Sequence, residues 1–111
     1  MSLRRACSLA DLPAKESAIQ VDLDGTLVAV VRDGEGELHA IEDECSHAKV
    51  PLSEGDVVDC TIECYLHGST FDLRTGRAMN LPATQPVRVF PVLIDGDDVQ
   101  VDPDNPLTFD N

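Results

Sequence analysis

Basic residues are scarce in this chain: 8 Lys and Arg stand against 21 Asp and Glu over 111 residues, a formal charge of −13. That shortage argues against nucleic-acid binding, which draws most of its affinity from cationic side chains neutralising phosphates. It equally disfavours an anionic membrane surface and favours a protein partner bearing a basic patch. Long apolar runs are missing too. No window approaches the roughly 20 residues needed to cross a bilayer, and the opening MSLRRACSLADLPAKES has two arginines with no apolar stretch behind them. A cytoplasmic location is therefore expected. In such a reducing compartment the four cysteines, Cys7, Cys45, Cys60 and Cys64, would serve as metal ligands or thiols and not as two disulfides.

Helical periodicity is also lacking. Only Ser8–Leu12 could make a single turn, before Pro13, and there is no internal repeat. What the chain has instead is a series of short runs of β-formers: Ala18–Leu23, Thr26–Arg32, Glu37–Ile41, Val57–Val58, Thr61–Cys64, Val87–Ile94 and Val99–Val101. Clusters of Gly and Asp separate them, as at Asp24-Gly25, Asp33-Gly34-Glu35-Gly36 and Asp95-Gly96-Asp97, and these read as hairpin turns. A hydrophobic share of 42% supplies a core, so one all-β domain over residues 1–111 is expected. The segment from Asp102 to Asn111 reads as a frayed acidic terminus.

Two stretches resist the strand reading, Glu44–Gly55 and Tyr65–Pro86, both rich in Cys, His, Pro, Gly and Ser. They contain Cys45-Ser46-His47 and Cys64-Tyr65-Leu66-His67, a C-x-H and a C-x-x-H separated by sixteen residues. Two loops that each offer one thiol and one imidazole suit tetrahedral zinc or an iron–sulfur cluster, and spacing alone leaves both open.

Other motifs carry less. Asp22-Leu23-Asp24-Gly25-Thr26 spells the D-x-D-G-T of aspartate-nucleophile phosphatases, but it lies between two amphipathic strands without crossover helices and reads as a hairpin turn. Cys60 lies about 13 Å from Cys64 along an extended strand, too far to share an iron, and reads as a buried or turn thiol. Cys7, in the first strand, reads as a small core residue, and His39, between Leu38 and Ala40, as a surface residue.

The cysteine–histidine pattern resembles that of the Rieske-type [2Fe–2S] proteins. The similarity extends to Leu52-Ser53-Glu54-Gly55, to Gly68-Ser69-Thr70-Phe71-Asp72-Leu73-Arg74-Thr75-Gly76, to Leu81-Pro82-Ala83 and to Phe90-Pro91-Val92, and so to small soluble ferredoxins over nearly the whole chain. The resemblance implies an antiparallel β-sandwich or barrel of two small sheets with a cluster-binding subdomain inserted around residues 43–83. It also implies one [2Fe–2S] cluster per chain, with Cys45 and Cys64 on the inner iron and His47 and His67 on the outer one. Pro82 would belong to the loop that shields the cluster. By the same resemblance the protein is a one-electron carrier with no catalytic residues of its own, working between a flavin-dependent reductase and a non-haem iron oxygenase, or serving iron–sulfur assembly. The alternative from a different class is a structural zinc module on the same four residues.

High-potential members of the family add a disulfide between the two cluster loops, at positions held here by Val50 and Leu66. They also place a tyrosine where this chain has Phe71, while Ser69 keeps one possible hydrogen bond to a cluster sulfur. These differences imply a reduction potential at the low end of the Rieske range, about −150 mV.

Overall fold

The computed structural model describes residues 3–12, 15–45, 49–66, 68–81 and 83–107. Among the described residues, ten strands form three antiparallel sheets, and the two short helical turns are both 3-10. One sheet has the order β1-β10-β9, built from Arg4–Ser8, Asp98–Val101 and Val92–Asp95. The largest has the order β2-β3-β4-β8, from Ser17–Leu23, Thr26–Arg32, Leu38–Glu42 and Val89–Phe90. The third is β5-β6-β7, from Asp56–Val58, Thr61–Glu63 and Thr70–Asp72.

The middle sheet is covered on both faces. In β3 the side chains of Val28 and Val30 join Cys7, Val99 and Val101 in one core, while Ala29 and Val31 join Val57, Ile62 and Phe71 in the other. A strand buried on both sides must be apolar at consecutive positions, which is why Val28–Val31 reads as a continuous run and not as an alternation. Val89 and Phe90 divide between the two cores in the same way. Pro91 then ends the ladder of β8, since it has no N–H to donate, and the chain crosses to the first sheet as β9.

The turns form as their residues dictate. Asp24 and Gly25 both take positive φ, at 55° and 95°, making the tight connection of the β2–β3 hairpin, and the Asp22 carboxylate accepts the Gly25 N–H at 2.7 Å. The D-x-D-G-T segment is thus a turn. Leu9–Asp11 forms the expected single helical turn.

Two expectations need correction. Tyr65–Pro86 is not wholly loop, because Thr70–Asp72 pairs with β6, with Phe71 opposite Ile62. A three-residue strand whose one buried side chain is Phe71 leaves no periodicity to read. Nor is the terminus frayed from Asp102 onward: Asp102 is buried, its N–H donates to the Pro91 carbonyl at 3.1 Å, and Leu107 N–H reaches Val89 at 2.7 Å. Arg4 adds an ion pair to Asp104 at 3.1 Å. Polar residues return to the sheet here because their backbone groups complete its edge.

Gly76 is required where it stands. Its φ is +76°, and a Cβ there would lie 2.0 Å from the Val87 carbonyl oxygen, whose own residue donates its N–H to the Gly76 carbonyl at 2.8 Å. Gly25 has positive φ but open space around it. Gly76→Ala is expected to cost about 2–4 kcal/mol, strain plus overpacking, and Gly25→Ala only about 1 kcal/mol. Chemical denaturation midpoints of the two variants, compared with the parent, check the difference.

Candidate metal centre

Cys45 follows β4 and Cys64 follows β6, and both side chains are buried, at 2% and 0% residue exposure, in the same core cluster with Leu52, Phe71, Leu73 and Ala83. Their loops are closed in the same way. The Cys45 N–H donates to the Val50 carbonyl at 2.9 Å and the Cys64 N–H to the Ser69 carbonyl at 2.7 Å, each reaching five residues ahead. A further bond from Gly68 N–H to the Cys64 carbonyl, at 3.0 Å, tightens the second loop, where Gly68 takes φ +78°. His47 and His67 lie outside the described residues, as does Pro82.

A carboxylate that sequence reading missed anchors the first loop. Asp43 is buried, and its two oxygens accept the Ser53 N–H at 2.6 Å, the Ser53 hydroxyl at 2.6 Å and the Gln20 side-chain amide at 2.8 Å. It thereby ties the end of β4 to the 3-10 turn Leu52–Glu54, across the loop that carries Cys45. Gly55 next to that turn lies against β6, since a Cβ on it would meet the Glu63 carbonyl oxygen at 1.8 Å. The two cysteine loops are therefore braced on each other through backbone.

Asn80 does the corresponding work for the second loop. Its side-chain oxygen accepts from Thr70 N–H at 2.6 Å and from the Thr70 hydroxyl at 3.0 Å, and its amide donates to the Gly68 carbonyl at 3.2 Å. Ser69 is fully buried, and its Oγ accepts the Ala83 N–H at 3.0 Å, so the hydroxyl proton remains to be given to another acceptor. Around these loops Tyr65, Leu66, Met79 and Leu81 are exposed, Leu81 at 75%. No disulfide is formed by any of the four cysteines.

Cys60, in the turn before β6, is partly buried and packs against the same core, at the other end of β6 from Cys64. Cys7 is buried in the opposite core, and desolvation pushes its thiol up from the usual range. His39 is not a surface residue, because β4 belongs to the sheet covered on both faces, and its Nε2 lies 2.8 Å from the buried Asp33.

Two buried thiols on braced, equivalently closed loops, with a polar buried serine beside one of them, fit a sulfur-ligated metal group. Thiolates, a hydroxyl able to donate and an apolar surround are the donor set an iron–sulfur cluster uses. Comparison with known proteins resolves the choice between zinc and cluster. A family model described as the Rieske [2Fe–2S] domain matches residues 3–91. This is an iron–sulfur electron-transfer protein. Within that class the chain belongs to the Rieske [2Fe–2S] domain family, and its cofactor is a [2Fe–2S] cluster of that type.

Among its relatives is the 3-phenylpropionate/cinnamic acid dioxygenase ferredoxin subunit of Escherichia coli (strain K12), 43% identical over 98 residues, covering 87% of this chain and 90% of that one. Among solved structures, the ferredoxin of carbazole 1,9a-dioxygenase from Nocardioides aromaticivorans IC177 is 38% identical with a TM-score of 0.84, over 93% of this chain and 99% of that one. A second, from a complex of reduced oxygenase and oxidized ferredoxin in carbazole 1,9a-dioxygenase, is 33% identical with a TM-score of 0.81, over 89% and 91% of the two chains.

Asp43→Ala removes three charge-assisted hydrogen bonds from the base of the first loop and is expected to cost about 2–4 kcal/mol. Cluster content should fall with it. Iron and sulfide per chain, measured beside the denaturation midpoint, check this, and a fully loaded variant of parental stability would contradict the anchoring role.

Proposed function

We propose that this chain carries single electrons from a flavin-dependent reductase to a non-haem iron oxygenase. In this reading Cys45 and Cys64 hold the inner iron, His47 and His67 the outer iron, and residues 43–83 form the cluster-binding part of a single domain spanning 1–111. The observation that carries the assignment is the pair of buried cysteines in loops closed by equivalent backbone bonds. The C-x-H and C-x-x-H spacing supports the two histidines as the remaining ligands.

When bound, the cluster supplies a one-electron couple, raised in potential because two neutral imidazoles replace two thiolates on one iron. The protein's own residues do the rest. Leu52, Phe71 and Leu73 keep water from the thiol side, and Ser69 has a hydroxyl proton to donate toward sulfur. Tyr65, Leu66, Met79 and Leu81 provide an apolar rim against which a partner can close.

The oxygenase as partner is supported by relatives named as dioxygenase ferredoxin subunits and by the solved oxygenase–ferredoxin complex. Those findings favour it over the iron–sulfur assembly role. The charge of −13 supports partners with basic docking patches, which would steer encounter more than they tighten the complex. Among the described residues no helix is long and apolar enough to cross a membrane, and a cytoplasmic site of action accords with the reducing environment that cysteine ligands need.

Anaerobic purification should give a reddish-brown protein with two irons per chain and a Rieske-type EPR signal on dithionite reduction. A colourless protein holding one zinc at the four ligands would overturn the carrier role. The midpoint potential is expected at about −150 mV, and a value well above about +100 mV would contradict the missing potential-raising devices. His47→Cys and His67→Cys, if loaded, should each lower it, since each adds thiolate charge, and unchanged midpoints in both would exclude these residues as ligands. Leu81→Asp should raise the KM of the oxygenase for this ferredoxin while leaving the midpoint unaltered. Equal KM values for parent and variant would remove the rim from the docking surface.

A further inference from the structure

At the far end of β6 from Cys64, three chemically unlike side chains converge. Asp33 follows β3, His39 lies on β4 and Cys60 sits in the β5–β6 turn. The Asp33 Oδ2 is 2.8 Å from His39 Nε2, and the Cys60 Sγ is 3.8 Å from that same nitrogen. One carboxylate oxygen, Nε2 and Sγ all lie within 4.8 Å of one another. The side chains of Asp33 and His39 are only 2% and 11% exposed.

This is not the relay of a nucleophilic triad. There, thiol and carboxylate occupy opposite ring nitrogens, so that the imidazole can pass a proton between them. Here both face Nε2, which carries at most one proton and cannot bond fully to two acceptors. Three ligand atoms around one point are instead the geometry of a chelate.

We propose that Asp33, His39 and Cys60 form a second metal site, separate from the iron–sulfur ligands, that takes a zinc-class divalent cation with water as fourth ligand. The dimensions fit. With metal–ligand bonds of about 2.0–2.3 Å, a tetrahedron has N···O and S···N edges of roughly 3.3–3.6 Å, so the 2.8 Å contact opens and the 3.8 Å contact closes by a few tenths of an ångström each. The donor set excludes hard cations: calcium and magnesium select oxygen cages, whereas thiolate with imidazole and one carboxylate suits zinc.

Charge fits as well. Thiolate, carboxylate and neutral imidazole sum to −2, which one divalent cation cancels in a half-buried place. Binding releases the Cys60 thiol proton to solvent, and the ring stays neutral because its single proton resides on Nδ1 once Nε2 holds the metal, a doubly protonated ring giving up its second proton as well. Burial raises the Cys60 thiol most strongly, Arg74 works against this, and the neighbouring carboxylates of Asp33 and Asp72 add to it, so the empty site keeps its thiol protonated. Asp33 is already held as a ligand must be: its Oδ1 accepts the N–H groups of Glu35 at 2.8 Å and Glu37 at 3.0 Å, leaving Oδ2 to face the metal.

The backbone around the site is fixed by contacts between sheets. Gly34 N–H donates to the Asp59 carbonyl at 2.9 Å, and a Cβ on Gly34 would come within 3.2 Å of the Asp59 Cα. Asp59 N–H in turn donates to Glu16 at 3.0 Å. The turn carrying Cys60 is thereby held against the loop carrying Asp33, as a multidentate site requires.

The test uses the cluster-loaded protein. Equilibrated anaerobically with zinc against a chromophoric chelator, it should bind one zinc per chain while keeping two irons and an unchanged visible spectrum. Cys60→Ser and His39→Gln should each weaken that binding at least about tenfold with iron content preserved. In the parent protein, zinc should also shift the ring nitrogen resonances of His39 and fix its Nδ1–H tautomer, a readout that needs no variant. Zinc entering only as iron leaves, a dissociation constant weaker than about 10 μM, affinity equal in parent and both variants, or an unmoved His39 would each overturn the site.

Discussion

Burial of the middle sheet on both faces is the constraint on which the rest of the molecule depends. Val28 and Val30 face one neighbouring sheet and Ala29 and Val31 the other, so both outer sheets are seated on this central layer. With apolar burial contributing roughly 25 cal/mol per Å², a domain of this size has little to spare, and a strand that serves two cores uses its residues twice. The three-stranded sheet β5-β6-β7 packs on the Ala29 and Val31 face, and Cys64 stands at the end of its central strand. The position of the cysteine loops thus follows from hydrophobic packing some way from the thiols.

On that foundation the functional loops are held by polar groups. Asp43 and Asn80 each spend several hydrogen bonds on backbone and hydroxyl partners at a loop base, and Gly55 allows the two loops to touch. Rigid support of this kind limits movement of the ligands between oxidation states, and so the reorganisation that electron transfer requires. It also explains how a carrier of single electrons can still demand accurate geometry.

Much of this was legible in the sequence because strands here are bounded by Gly and Asp turns and because the cysteine–histidine spacing is specific. The hairpin at Asp24-Gly25 and the paired strands on either side follow from local chemistry alone. What could not be read depends on distant residues meeting. Asp33, His39 and Cys60 read as a turn residue, a surface residue and a lone thiol until two sheets are stacked, and alternation misplaced His39 because both faces of its sheet are covered, leaving its side chain 11% exposed. β7 escaped since three residues between Ser69 and Leu73 carry no period, and the terminal segment escaped since its attachment is made by backbone groups that any residue type supplies. Asp43 gave no signal, being one of 21 acidic residues.

The bonds that close the two cysteine loops run between main-chain amides and carbonyls. Tyr65 and Leu66, on the second loop, therefore take no part in closing it, and their side chains lie open to solvent. The exposed surface at these two positions can therefore be rewritten while the thiol beneath keeps its place. A single scaffold can then serve many electron-transfer chains, each with its own vocabulary at the loop tip.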